Sequence, residues 1–238
     1  MATGFSMYKR PHHQRVAVVL AGMNAPFLRD AKCYFGGGTA IALQLDEYRE
    51  SVDIDFLCAD QEGYRKLRKS IFDNGLVDLF PAGITVLREV RADRDGIRAI
   101  LAADGIPIKF EIVREARIEL DGTDIPPIPV PCLTKTDLFA EKLLANADRF
   151  TDRSTMNRDI IDLLVMEEHW GPIPQGAWEK ASAAYGDSAQ RAFLKARELL
   201  ADNPAYLGEC LAKMGMEEAV GIRLQKALSA SHSAISPR

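Results

Sequence analysis

Cysteine is scarce in this chain, and nothing in its spacing pairs it. Cys33, Cys58, Cys132 and Cys210 are the four present. None forms a Cys-x-x-Cys pair and none lies near a histidine at zinc-ligand spacing, which excludes a zinc ribbon and a disulfide framework. Each sits among apolar neighbours, so buried, reduced thiols are expected, as in a reducing cytosol. A surplus of positive charge is missing too. Thirty lysines and arginines face 34 acids, for a net charge of −4. Proteins that coat nucleic acid with their whole surface are usually basic, so any such contact here must be a local patch. Long apolar runs are absent: residues 16–23 are too few to cross a bilayer. The opening Met-Ala-Thr-Gly-Phe-Ser has no charged segment followed by an apolar one and a cleavage site. A cytoplasmic protein with no membrane partner is expected. The four histidines, His12 and His13 among them, form no triad with a nucleophilic serine.

What is present is an ordinary globular composition, 47% hydrophobic and 27% charged over 238 residues. That length suits one large domain or two small ones. Apolar residues recur at helical steps over 13–31. Cys33-Tyr34-Phe35 reads as a short buried strand ending in Gly36-Gly37-Gly38, followed by a short helix over 39–45. Residues 52–58 alternate apolar and acidic, a strand signature. A basic surface helix, with Arg65, Lys66, Arg68 and Lys69, covers 61–74. Three strand-like runs follow at 84–91, 98–102 and 106–113, separated by turn residues, with an edge strand at 116–120. The proline-rich segment 121–131 reads as a linker. Beyond it Thr134 or Thr136 caps a helix running to about 148, and further helices cover 155–168, 176–185, 188–201, 204–213 and 217–228. The tail from Ser229 should fray. The predicted architecture is α+β: a domain over 1–125 with a small mixed or antiparallel sheet and helices, then a helical domain over 132–230 that completes a cleft.

The chemistry is carried by Gly37-Gly38-Thr39 and, after thirteen intervening residues, Asp53-Ile54-Asp55. Glycines after a strand let backbone amides approach a phosphate, and the helix start behind them adds partial positive charge. Thr39 adds a hydroxyl donor. In Asp-x-Asp on a strand both carboxylates project from one face. They repel each other unless a cation intervenes, and Mg²⁺ or Mn²⁺ bridging them to a triphosphate would position an in-line displacement. Neither half persuades alone; the order strand, glycine turn, helix, acidic strand does. A Walker A loop is excluded because no lysine follows the glycines. A dinucleotide fold is excluded because the third glycine is missing and antiparallel-looking strands follow.

Gly-Gly-Thr with Arg49-x-Ser51-x-Asp53-x-Asp55 resembles the DNA-polymerase-β-like nucleotidyltransferases, and more narrowly the AbiEii nucleotidyltransferase toxins. The resemblance runs from about Tyr34 to Val165. It implies that Gly37, Gly38 and Thr39 contact nucleotide phosphates and that Asp53 and Asp55 bind metal, with Ser51 at the family's hydroxyl position. It also implies a third carboxylate on a neighbouring strand, for which Glu111 in Ile108-Lys109-Phe110-Glu111 is the candidate. Lys142, at the border of a helix's apolar face, matches a lysine that contacts phosphate. Asp159, in Asn157-Arg158-Asp159-Ile160-Ile161-Asp162, matches a catalytic or nucleotide-binding aspartate. Asp162, three residues on, shares its helix face, and the two roles are not separated. The implied activity moves a nucleoside monophosphate from a nucleoside triphosphate to an acceptor hydroxyl. By resemblance the acceptor is RNA, such as a tRNA 3′ end, and the partner an antitoxin. Arg88, Arg91, Arg94 and Arg98, beside the catalytic sheet, are better RNA candidates than the basic helix. Alternatives are a small-molecule adenylyltransferase of the antibiotic-modifying type and a non-catalytic nucleotide-binding regulator. An acidic or apolar pocket would favour the former, while the intact acidic pair argues against the latter.

Overall fold

The computed structural model describes residues 7–235. They fall into two units, Met1–Glu47 with Ser51–Leu138, and Tyr48–Glu50 with Phe139–Arg238.

The first unit contains α1 (Pro11–Ala21), α2 (Ala25–Asp30), β1 (Cys33–Gly36), α3 (Gly37–Gln44), β2 (Ile54–Cys58) and α4 (Gln61–Asn74). It continues with β3 (Thr85–Ala92), β4 (Gly96–Ala103), β5 (Ile106–Arg114), β6 (Gly122–Thr123) and β7 (Cys132–Leu133). The strands form one mixed sheet in the order β3-β4-β5-β2-β1-β7-β6. Two neighbouring pairs are parallel, β2 with β5 and β1 with β7, and the others are antiparallel.

Alternation along the central strands sorts this sheet into an apolar and a polar face. Phe35, Phe56 and Phe110 pack in sequence on the apolar side, with ring centroids 5.4 and 6.0 Å apart, and Phe80 closes the cluster 5.9 Å from Phe110. All four rings are fully buried, so this cluster holds β1, β2 and β5 together and fixes which way their polar residues point.

Three sequence expectations change here. The single helix expected over 13–31 is two helices. Asn24 caps the second by accepting the Phe27 amide at 3.2 Å, and Pro26, which lacks an N–H, suits only a first turn. Residues 116–120 form no strand; β6 and β7 extend the sheet instead. The proline-rich stretch is packed rather than free. Ile128 and Val130 are buried, and the Pro131 carbonyl accepts the Phe35 amide at 2.8 Å. Pairing from this segment therefore uses its carbonyls, which proline retains.

The second unit is helical. α5 (Lys135–Arg149) runs into it from the first, capped by Thr134, whose Oγ1 accepts the Asp137 amide at 3.2 Å. A 3₁₀ turn at Arg153–Thr155 precedes α6 (Arg158–Trp170), followed by α7 (Gln175–Tyr185), α8 (Ser188–Asp202), α9 (Pro204–Lys213) and α10 (Glu218–Ile235). α6 buries every residue from Asp159 to Met166, which makes it the central helix of this unit. Phe139 meets Trp170, and Trp178 meets Phe193, in edge-on contacts at 6.0 and 5.3 Å. α10 continues through Ile235, past the Ser229 where fraying was expected; the last three residues of that tail lie outside the described residues. All four cysteines are buried and unpaired. Among the described residues no helix is long and apolar enough to cross a membrane.

Candidate active site

The glycine turn is where β1 becomes α3. Gly37 has φ +66°, a left-handed conformation that L side chains rarely adopt. A Cβ placed there would stand 2.7 Å from Asp55 Oδ2. Glycine thus serves twice, for the turn and for bringing the backbone against the carboxylate. No side chain caps α3, so its first amides keep the unpaired donors and partial positive charge that suit a phosphate.

Thr39 has a different local task from the one expected. It is buried, and its hydroxyl donates to the Asp53 carbonyl at 2.5 Å and hydrogen-bonds Ser51 Oγ at 2.8 Å. Thr39 and Ser51 therefore tie the start of α3 to the segment entering β2, which sets where Asp53 and Asp55 stand.

His13 belongs to the same scaffold. It is fully buried on α1, with Nε2 accepting the Ser51 amide at 3.1 Å and Nδ1 2.8 Å from Glu47 Oε1. With Nε2 accepting, the proton lies on Nδ1 and is donated to Glu47. Burial pushes the imidazole pKa down against the pull of Glu47, so the ring is neutral near pH 7. Triad spacing gives no hint of this role for His13. Its signal was its place on the buried stripe with Val16, Val19 and Leu20, where a polar residue needs a partner.

Strand register then assembles the polar face. Asp55 pairs with Gly36 on one side and with Glu111 on the other; Glu111 pairs with Arg98, and Arg98 with Arg91. One row across five strands therefore reads Gly36, Asp55, Glu111, Arg98, Arg91. In the adjacent row Lys109 pairs with Ile100 and Ile100 with Arg88. Arg88 and Arg91 are three apart yet face Ile100 and Arg98, which are two apart, because β3 has irregular register between them.

Glu111 engages a cation at each oxygen. Arg98 Nε donates to Oε1 at 2.7 Å, and Lys109 Nζ lies 2.8 Å from Oε2. Partial burial would raise the Glu111 pKa, but Lys109 and Arg98 outweigh it and hold the group below the usual range. Burial works against the Lys109 charge, and Glu111, Asp55 and Asp53 more than compensate, so its pKa is raised. Among the described residues no three His, Cys, Asp or Glu side chains converge as a metal cluster. Asp53, just before β2, and Asp55, on it, are hard oxygen donors two residues apart and suit a divalent cation, whereas Glu111 already engages a cation at each oxygen.

The other site candidates lie in the helical unit and are engaged with one another. Lys142 Nζ reaches Asp159 Oδ1 at 2.9 Å and Asp162 Oδ2 at 2.5 Å. Asp159 also accepts from Arg149 Nε and Nη2 at 2.6 and 3.0 Å. Asp162, fully buried, accepts Arg49 Nε and Nη2 at 2.7 and 2.9 Å and the Tyr48 hydroxyl at 2.5 Å. Burial would raise both carboxyl pKa values. For Asp159, Lys142 and Arg149 reverse that; for Asp162, Arg49 and Lys142 do; both stay well ionised. Asp159 is thus a poor proton acceptor at neutral pH, and its contribution is to hold cations in place. Arg49 and Tyr48 explain why three residues between α3 and β2 belong to the helical unit. No local pattern links Arg49 to Asp162, because 113 positions separate them.

Comparison with known proteins agrees with this geometry. Residues 19–229 match the family described as nucleotidyl transferase AbiEii toxin, type IV toxin–antitoxin system. Among solved structures, a protein from H. pylori described as a candidate nucleotidyltransferase aligns over 95% of this chain and 97% of its own, at TM-score 0.54 and 19% identity. JHP933 from Helicobacter pylori aligns over 94% of each chain at TM-score 0.49 and 19% identity. A comparison with curated proteins returned no match. The first of these structures speaks for the fold, and the family match covers nearly the whole chain: it belongs to the AbiEii nucleotidyltransferase toxin family and is a nucleotidyltransferase.

Proposed function

We propose that this chain transfers a nucleoside monophosphate from a nucleoside triphosphate to a hydroxyl of an RNA acceptor such as a tRNA 3′ end, releasing pyrophosphate, as the cytoplasmic toxin of a toxin–antitoxin pair. The observation that carries the reading is the close approach of the Gly37 backbone to the Asp55 carboxylate at the uncapped start of α3. A phosphate donor site and a cation site adjoin there, as phosphoryl transfer requires.

Asp53 and Asp55 would hold Mg²⁺ or Mn²⁺, which when bound neutralises charge on the transferring phosphate. The amides at Gly37 and Gly38 receive triphosphate oxygens. Thr39, Ser51 and His13 keep the two aspartates in place. In the helical unit, Lys142 and Arg149 present cations to an anionic substrate, anchored by Asp159 and Asp162. Arg88 and Arg91, exposed on the edge strand, lie on the face that carries the acidic pair and favour a polyanionic acceptor over a small cationic one.

Incubation with each labelled triphosphate, Mg²⁺ and total tRNA, with Asp53→Ala alongside, tests this. Labelled RNA formed only by the unaltered chain is the expected result. Label on a small hydroxyl compound instead replaces the RNA acceptor. Triphosphate bound but unchanged with every acceptor removes the transferase reading.

A further inference from the structure

We infer that the cleft between α4 and β3 is a second RNA subsite, where one unpaired nucleotide of the acceptor lays its base on Phe72 and its phosphate against Arg65 and Arg68. The inference rests on the RNA-acceptor reading proposed above and adds a contact away from the acidic pair.

The helix supplies one wall. Arg65, Arg68 and Phe72 are spaced three and four residues apart, so they share one face of α4. Phe72 follows Arg68 by about 6 Å along the helix axis. Its side chain is 89% exposed, more than any other large apolar side chain among the described residues. The ring therefore adds almost no burial to the fold, and its open face suits a base. β3 supplies the other wall, and the two bound a cleft of about 900 Å³. Val90 and Ala92 line it, and strand alternation points them away from the face that carries Arg91. An RNA strand on Arg91 would reach the cleft by passing over the outer edge of β3, where the sheet ends.

Charge selects the occupant. Lys69 is taken up by Asp73, four residues on. Asp93 is taken up by the β3–β4 turn: Oδ1 accepts the Asp95 and Gly96 amides at 2.8 and 3.0 Å, and Oδ2 lies 3.3 Å from Arg98 Nη1. Among the described residues no carboxylate forms an ion pair with Arg65 or Arg68, although Asp93 attracts Arg68 at longer range. The lining charges left are Arg65, Arg68 and Glu89. They leave a surplus of one positive charge, which one phosphate matches. A cation pair beside an open aromatic ring on one helix face is the arrangement that holds a single-stranded nucleotide by backbone and base together.

Fluorescence anisotropy with a labelled single-stranded RNA, and with a blunt RNA duplex of the same sequence, separates these contacts. Phe72→Ala should weaken single-strand binding about tenfold and leave its salt dependence unchanged, because stacking releases no counterion. Phe72→Trp should keep the affinity and Phe72→Leu should lose it, which distinguishes a stacked base from a general apolar contact. Arg65→Met combined with Arg68→Met should flatten the slope of log affinity against log salt by about 0.7, the value for one phosphate of a single strand. The duplex, whose bases are already paired, should bind Phe72→Ala as it binds the unaltered chain. All three side chains are exposed, so the variants should keep the stability of the unaltered chain in urea. Single-strand binding unchanged in Phe72→Ala, full affinity in Phe72→Leu, or an unchanged slope in the arginine pair overturns the inference and leaves the RNA-acceptor reading standing. An unaltered chain that binds neither RNA and labels only a small hydroxyl compound overturns both.

Discussion

Lys142 is 6% exposed and sits between two aspartates that are themselves buried. Removing one partner of such a cluster leaves a charge in a poorly solvating environment, at a cost of about 3–5 kcal/mol. Lys142→Met should therefore lower the unfolding free energy by about that much at pH 7, read from urea denaturation. The sign of its pH dependence follows from Asp159 and Asp162. Their folded pKa values lie below the unfolded ones, so the stability they contribute is fully present above the unfolded value, about 3.9, and is lost as pH falls through the folded values. Protonation also removes the buried charge that the variant leaves uncompensated. The gap between variant and unaltered chain should be widest above about pH 4 and narrow below it; a gap that stays constant into acid would show that Lys142 acts through packing alone. Asp159 was legible in the sequence as a carboxylate on an apolar stripe, because such a residue demands a partner. That Arg149 joins Lys142 there, and that Asp162 is claimed by Arg49 and Tyr48, was not legible, since only the folded chain brings those positions together.

The elements around β1, α3 and β2 show how much a short segment can specify. Gly37→Ala places a methyl group 2.7 Å from Asp55 Oδ2 and a side chain at φ +66°. The backbone cost is about 1–2 kcal/mol. The displaced carboxylate matters more, because a misplacement of about 1 Å can cost about 100-fold in rate. The variant should remain folded, with transfer of labelled monophosphate reduced by about that factor. Gly36→Ala is the comparison: its φ is ordinary, and its clash is with the methyl ends of Leu57 and Leu133, so it should lose stability with a smaller loss of rate. Equal rate losses in the two would remove the Gly37–Asp55 approach from the mechanism. The glycine turn, the helix behind it and the acidic alternation are local patterns, and the sequence showed all three. Register is not local. Nothing within β5 alone says that it lies parallel to β2 with Glu111 beside Asp55, and without that pairing Lys109 reads as an ordinary surface lysine. The same limit hid β6 and β7, which are two residues each and too short for any periodicity to show.

At the scale of the whole molecule, a net charge of −4 opposes association with RNA, so the proposed RNA binding must come from how charge is arranged. The polar face of the sheet arranges it as a gradient, with Asp53 and Asp55 at β2 and Arg88 and Arg91 at β3. Three strand spacings of about 4.8 Å put the two ends about 14 Å apart. A strand of RNA lying across this face would bring its phosphates to the arginines and a terminal hydroxyl toward the aspartates, whereas the reverse orientation would set phosphate against carboxylate. Long-range repulsion from the rest of the surface is screened beyond about 8 Å at physiological salt, so the local gradient decides. Each phosphate contacted contributes a slope of about −0.7 to −0.9 to log affinity against log salt. Arg88→Glu combined with Arg91→Glu should therefore weaken tRNA binding and flatten that slope by about 1.5, measured by anisotropy between about 50 and 200 mM salt. Both residues are exposed on an edge strand, so stability should be nearly unchanged. Triphosphate binding, which depends on the far end of the gradient, should also be retained. An unchanged slope would mean that RNA is held elsewhere on the molecule, and loss of triphosphate binding would mean that the arginines serve the nucleotide rather than the acceptor.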